Sequence, residues 1–341
     1  MQRALATIPR LTVERGAPLV PCNFAEGIKD RWRRRFQSCG ALVPHAPRTP
    51  CPNCGQRLVN AHAPDPPAGA RVITGNVAII DAETEQVVAV HVVCANDLAT
   101  DLAGSLANVE FDSQPFLDVG PTTTRLSGLA VTHRTFGYQP PAPLRRRYGC
   151  STSQFNAQYP KATTQLAQMC RVAEYVFRTY ASEVHDETAN KVRDAIPPAW
   201  LIAGTPWSSG IINQTVSLPY HKDQGNISRS WSAMLVARRH VEGGLLHLAD
   251  YDTWFAVPHG SITIFDGQSV VHGVSPMRMA HPGGFRYSVV TYAKSGMKRC
   301  CPDPAGEPRR AALEATLAED RRRKPKLELA ETIQVSEPEL A

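Results

Sequence analysis

The sequence has no apolar run long enough to cross a bilayer, and its first residues, with Arg3, Arg10 and Glu14, lack the apolar core of a secretion signal. A membrane protein is therefore not expected; a cytoplasmic setting, or a nuclear one in a eukaryote, follows by default. No internal repeat appears, which sets aside solenoids. No glycine-rich loop of the phosphate-cradling kind appears either. Charge of one sign is not in large excess: 37 Lys and Arg face 31 Asp and Glu, a net +6, compatible with a polyanionic partner without establishing one. Nine cysteines in an intracellular chain favour thiols or metal ligation over disulfides. With 341 residues, 43% of them hydrophobic and 20% charged, the chain can build one large or two modest domains.

The informative stretch runs from Ile211 to Ala293. Short β-prone runs follow one another with Gly and Pro turns and no helix between them. Ile211 to Leu218 leads to Tyr220-His221-Lys222-Asp223-Gln224-Gly225-Asn226. Ser232 to Arg238 is a second run, and Gly243-Gly244 punctuates before Leu245-Leu246-His247-Leu248. Trp254 to Val257, Ser261 to Phe265, Ser269 to His272 and Phe285 to Tyr292 complete the set, with Asp266-Gly267 as a turn. This pattern predicts an antiparallel barrel or sandwich with residues placed at strand ends near one mouth.

His221-x-Asp223, a distant His272, then Arg286-x-Ser288 has a specific chemical reading. Two imidazoles and one carboxylate on one face of a metal leave the opposite face open, the donor set of non-haem Fe(II) oxygenases. Arg286 offers a planar fork for a carboxylate, and Ser288 adds a hydroxyl on the same face of an alternating strand. A buried Arg without an anion would be costly, so the reading requires a bound dicarboxylate. The alternative places Arg286 on the outer face of its strand.

These residues carry a family resemblance. The segment is similar to the iron- and 2-oxoglutarate-dependent dioxygenases through His221, Asp223, His272, Arg286 and Ser288. More narrowly it resembles the TET/J-binding-protein branch, through His221 to Asn226, Glu242 to Leu248, and Gly260 to Phe265 ahead of Val271-His272-Gly273-Val274. Prolyl-hydroxylase-like oxygenases share part of the pattern but more often hold 2-oxoglutarate with Lys. The resemblance implies an α+β protein with a double-stranded β-helix (jelly-roll, cupin-like) core. It implies Fe(II) held by His221, Asp223 and His272, and 2-oxoglutarate held by Arg286 and Ser288 with Asn213 as a further contact. It also implies O2 as co-substrate and hydroxylation of the 5-methyl group of 5-methylcytosine or thymine in DNA. A base in a duplex would have to leave the stack, with Tyr220, Trp231 and Trp254 as candidate stacking platforms. Asn226 is a candidate for orienting the metal-binding loop. The alternative activity is hydroxylation of a protein side chain or small molecule, and a third reading is a zinc-stapled DNA-binding module with a silent barrel.

The rest of the chain divides around this core. Residues 1–70 are proline-dense and loop-rich; Cys51-x-x-Cys54 with Cys22 and Cys39 is a candidate structural zinc site, with His45 or His62 as substitute ligands. Arg33, Arg34 and Arg35 beside Trp32 and Phe36, and Arg145, Arg146 and Arg147 beside Tyr148, are candidate nucleic-acid contacts; the bland reading is a solvated charged face. Residues 71–298 form the expected oxygenase domain. It begins with a hairpin over Arg71 to Val93 and a short helix over Asn96 to Leu106, and its clearest helical pattern lies within 151–196, starting near Pro160. On that pattern Cys170 is expected to be a buried small apolar residue. Residues 299–341 are expected to be a charged tail, helical over Arg309 to Lys324, with Cys300 and Cys301 as free thiols in preference to joining the N-terminal cysteines at one metal. Oligomeric state is not readable.

Overall fold

The computed structural model describes residues 7–16, 19–21, 57–59, 63, 65–115, 130–223 and 225–334. The zinc candidates Cys22, Cys39, Cys51 and Cys54, together with His45, His62, Arg33, Arg34 and Arg35, lie outside the described residues. In chain order the strands are β1 (Arg10–Val13), β2 (Leu19–Pro21), β3 (Arg57–Val59), β4 (Val72–Ile73), β5 (Val77–Asp81), β6 (Val87–Val93), β7 (Asp112–Pro115), β8 (Ala130–Gln139), β9 (Ser151–Thr152) and β10 (Ser209–Gln214). There follow β11 (Leu218–His221), β12 (Ser232–Arg239), β13 (Val241–Gly243), β14 (Leu246–Leu248), β15 (Thr253–Phe255), β16 (Ser261–Phe265), β17 (His272–Val274), β18 (Met277–Met279) and β19 (Phe285–Tyr292). The helices are α1 (Asn96–Leu106), α2 (Gln154–Gln158), α3 (Pro160–Tyr180), α4 (Ser182–Ala195) and α5 (Glu307–Gln334).

From β10 onward the chain alternates between two sheets. The major sheet runs β1-β5-β6-β16-β12-β19-β10-β8-β7, and the minor sheet runs β11-β17-β14-β15-β4. Successive strands β10, β11, β12, β14, β15, β16, β17 and β19 thus wind back and forth across one space, which is the double-stranded β-helix. The architecture is α+β with a jelly-roll core. Arg10–Val13 pairs with β5, so part of the 1–70 segment supplies an edge of the major sheet.

Side-chain alternation builds two cores from each central strand. Ala233, Leu235 and Ala237 of β12 and Tyr287 and Val289 of β19 face the helices. Met234 and Val236 face the space between the sheets with Leu246, Leu248 and Phe255. Both faces are buried, so these strands are nearly continuous apolar runs in sequence. On the outer face, α1 seats Leu102 and Leu106, and α3 seats Leu166, Met169, Cys170, Ala173 and Phe177 at helical spacing. Each such fully buried Leu or Phe contributes about 1.5–3 kcal/mol. The 151–196 region divides into α2, α3 and α4, and Pro160 starts α3, where its missing amide hydrogen costs nothing.

The cysteine expectation is corrected at one point. Cys300 is not a free thiol: it is joined to Cys150 across 150 residues of sequence, while Cys301 stays free. The two halves of that bond lie far apart in the chain but share a satellite core with Trp200, Ile227 and Met297. Glu307, at the start of α5, ties the same junction together by accepting the amides of Cys150 (2.6 Å) and Cys301 (2.7 Å) and pairing with Arg310. Burial works against its charge, but the Arg310 hydrogen bond and those two amides hold its carboxyl below the ordinary value.

Candidate active site

The site lies between the two sheets and is assembled by strand pairing. His221 ends β11 and stands directly opposite His272, the first residue of β17. Their rings lie 4.2 Å apart, centroid to centroid. Asp223 follows two residues later, and its amide donates to the Gly267 carbonyl at 2.7 Å, which fixes the loop against the turn after β16. Its Oδ1 is 3.6 Å from His221 Nε2 and 3.8 Å from His272 Nε2. One ligand atom from each of the three residues lies within 4.8 Å of the others, the spread expected of three donors converging on one ion.

The protonation states suit that use. His272 Nδ1 lies 3.0 Å from the Val270 carbonyl, which can only accept, so Nδ1 carries the proton and the Nε2 lone pair faces the other two groups. Burial, then the neighbouring His221, brings the His272 pKa down to about 4, against smaller opposing effects from Asp223 and Val270; the ring is a neutral donor at neutral pH. Burial opposes charge on Asp223, but the hydrogen bond from His221 and the two imidazoles outweigh it and hold the carboxyl below its ordinary value.

Gly267 is what lets the carboxylate sit there. A Cβ at this position would lie 2.4 Å from Asp223 Oδ2 and 3.3 Å from His272 Cε1. Read in sequence only as half of an Asp-Gly turn, it is a packing requirement of the triad.

Arg286 is the second feature of the site. It is fully buried, and among the described residues none of its Nε, Nη1 and Nη2 atoms has a hydrogen-bond partner. On β19 it alternates with Phe285 and Tyr287, which pack on the helix side, so Arg286 and Ser288 share the face turned toward the minor sheet. The outward placement weighed for Arg286 is therefore not what the fold adopts. Asn213 of β10 is buried directly across from Ser288 and completes a polar row on that face. Burial, and then Arg238, pull the Arg286 pKa down to about 9, so the guanidinium is still charged at neutral pH. Five N–H donors with no acceptor in a dry cavity match the requirement for an added carboxylate.

Arg238 was not singled out by sequence reasoning. It pairs directly across from Arg286 on β12 and donates to the carbonyls of Val241, Gly243 and Ala256. These bonds brace the Gly243-Gly244 turn. Gly244 has φ +67° and a Cβ there would meet Arg286 Cδ and Nε at 3.3 Å, so the glycine pair makes room for the guanidinium.

Three aromatic candidates are not platforms. Trp231 stacks on Phe177 in the helix-side core. Trp254 lies flat on His247 at 3.8 Å, and Tyr220 hydrogen-bonds His247 Nδ1 at 2.6 Å. All three are buried, and their sequence signal was simply that of large core residues. Asn226 is buried and bridges Lys294. Arg146 and Arg147 lie in a short turn after β8.

Residues 141–295 match the Tet_JBP family model, the oxygenase domain of the 2OGFeDO superfamily. A bifunctional helicase and thymine dioxygenase, JBP2, of Trypanosoma brucei brucei is 23% identical over 156 residues; these are 46% of this chain and 14% of that protein. Among solved structures, NgTET1 in complex with 5mC DNA aligns with TM-score 0.46 and 14% identity over 68% of this chain and 85% of that one. A 2OG-Fe(II) oxygenase family protein from Burkholderia pseudomallei aligns with TM-score 0.38 and 13% identity over 60% of this chain and 85% of its own.

Proposed function

We propose that this chain, whose residues 141–295 match the Tet_JBP oxygenase domain, is a 2-oxoglutarate- and Fe(II)-dependent dioxygenase that hydroxylates the 5-methyl group of a pyrimidine, 5-methylcytosine or thymine, in DNA. The observation that carries the site assignment is the unpartnered, fully buried Arg286 beside a His-Asp-His cluster. The DNA substrate is supported by the Tet_JBP match and by the thymine dioxygenase among the relatives.

In this reading His221, Asp223 and His272 hold the metal, and Arg286 with Ser288 holds the distal carboxylate of 2-oxoglutarate, with Asn213 beside it. When bound, Fe(II) and 2-oxoglutarate supply the oxidation: O2 and the oxo acid give succinate and CO2, and one oxygen atom is inserted into a substrate C–H bond. The protein's own part is placement. Asp223 is kept ionised and His272 neutral, so these two offer lone pairs to a metal without first losing protons. Arg286 neutralises a carboxylate where water is excluded, and its charge is worth more there than at the surface. The flanking apolar residues Met234, Val236, Phe255 and Phe265 keep the interior dry around the reacting C–H. A target in a duplex must leave the stack to reach this interior.

The test is nucleoside mass spectrometry on methylated and unmethylated DNA incubated with protein, Fe(II), ascorbate and 2-oxoglutarate. A 5-hydroxymethyl base should appear with the wild type and be absent with Asp223→Ala. Co-substrate turnover stimulated by a peptide or small molecule but by no DNA would overturn the DNA assignment.

A further inference from the structure

The turn after β8 is unusual in being both rigid and apolar at its tip. Ala142 and Arg147 form a two-way backbone bridge, 2.7 and 3.2 Å, and the Arg146 amide closes onto Pro143 at 2.9 Å. Arg147 clamps the base of the turn through Gln139 and the Pro140 carbonyl, and Arg299 holds the Pro141 carbonyl at 3.2 Å. At the tip Leu144 is wholly exposed, at 101%, the most exposed large apolar side chain among the described residues. Single exposed apolar residues are ordinary on protein surfaces. This one is held out on a braced turn next to cations, Arg146 and Arg147 both being exposed.

The turn also leaves the end of the major sheet whose neighbouring segment is fastened to the Asp223 loop. Gly137 of β8, Ser209 of β10 and Tyr292 of β19 lie in one register row, and the turn leaves β8 just beyond that row. Tyr292 is close enough to Asp223 for that carboxylate to push its phenol upward, after burial. Next along the chain, Lys294 bridges Asn226, and the Ser295 amide and hydroxyl both donate to the Gly225 carbonyl, so this segment is fastened to the loop that carries Asp223. Lys294 in turn feels the positive charge of Arg147. Leu144, Arg146, Arg147 and Arg299 thus form a cationic turn with one apolar point, joined through Lys294 to the segment fastened to the Asp223 loop.

We propose that this turn enters duplex DNA, with Leu144 as a wedge that fills the gap left by the extruded base and the exposed Arg146 on a flanking phosphate. The inference rests on the DNA reading above. An apolar side chain inserted between base pairs offsets lost stacking, and a cation beside it holds the distorted backbone. A single leucine among arginines is too small an apolar area to anchor the chain to a lipid surface. Arg299 stays in the turn as a brace, through its bond to Pro141.

The experiment compares kcat/KM on a duplex containing 5-methylcytosine or thymine with kcat/KM on the same strand unpaired. Leu144→Gly should lower the duplex-to-single-strand ratio at least about tenfold, since only the duplex requires the gap to be filled. Leu144→Met should restore it. Arg146→Ser should weaken binding to both forms and reduce the slope of log affinity against log salt by roughly one. A ratio unchanged within about twofold for Leu144→Gly, or no rescue by Met, overturns the wedge while leaving the DNA assignment intact. A wild type that oxidises only single strands does the same. A wild type that oxidises no DNA in either form removes the DNA assignment and the wedge with it.

Discussion

Replacing Arg286 by Met should stabilise the ligand-free protein while abolishing its response to 2-oxoglutarate. Met nearly conserves the volume of the aliphatic stem and removes a charge that has no acceptor on any of its three nitrogens. The downward shift of the guanidinium to about 9 places the cost of its burial at roughly 5 kcal/mol at most. Relaxation and water entering the cavity reduce that figure. Replacing buried charges by apolar residues typically gains about 1–4 kcal/mol, and that is the range expected here. Binding should move the other way. A bidentate guanidinium–carboxylate contact has two charge-assisted hydrogen bonds of about 1.5–3 kcal/mol each, so affinity for 2-oxoglutarate should fall by roughly 100-fold or more. The assay is urea unfolding with and without 2-oxoglutarate, using Mn(II) as a redox-silent metal. At ligand 100-fold above its Kd the wild type should gain about 2.7 kcal/mol, and the variant should gain almost nothing. A variant that is less stable than the wild type without ligand, and still responds to 2-oxoglutarate, would show that Arg286 is a structural residue with protein partners.

Two further outcomes follow from the same geometry. Gly267→Ala should weaken Mn(II) binding about 10- to 100-fold, because the new methyl would displace the Asp223 carboxylate; isothermal titration measures it, and unchanged affinity would mean the turn is not what positions the ligand. His91 is buried between the sheets, with Nδ1 on Thr263 at 2.8 Å and Nε2 unpartnered, and burial lowers its pKa from 6.5 to about 4. The neutral ring is the folded form, so the stability it protects is present above pH 6.5 and is lost as pH falls toward 4. Between pH 7 and 5 the wild type should lose about 2 kcal/mol more than His91→Gln by urea unfolding, and superimposable pH profiles would refute this.

The sequence by itself determined much of this protein's local grammar. Alternation in Phe285 to Tyr292 put Arg286 and Ser288 on one face, and the three- and four-residue spacing in Pro160 to Tyr180 marked the stripe that α3 buries. The order His221-x-Asp223, His272, Arg286-x-Ser288 spelled out a chemistry because those residue types have few joint uses. Such features are carried by neighbours in the chain, and periodicity reports them directly.

Only the tertiary structure decided which side of the strand faced inward, because alternation is symmetric and packing against α1 and α3 breaks the symmetry. It alone set Arg238 opposite Arg286, packed Gly267 against Asp223, and brought Cys150 to Cys300. It also sent Tyr220, Trp231 and Trp254 into cores and left Leu144 in solvent. Each of these depends on strand register and sheet winding, which join residues tens to hundreds of positions apart and leave no periodic trace in the chain.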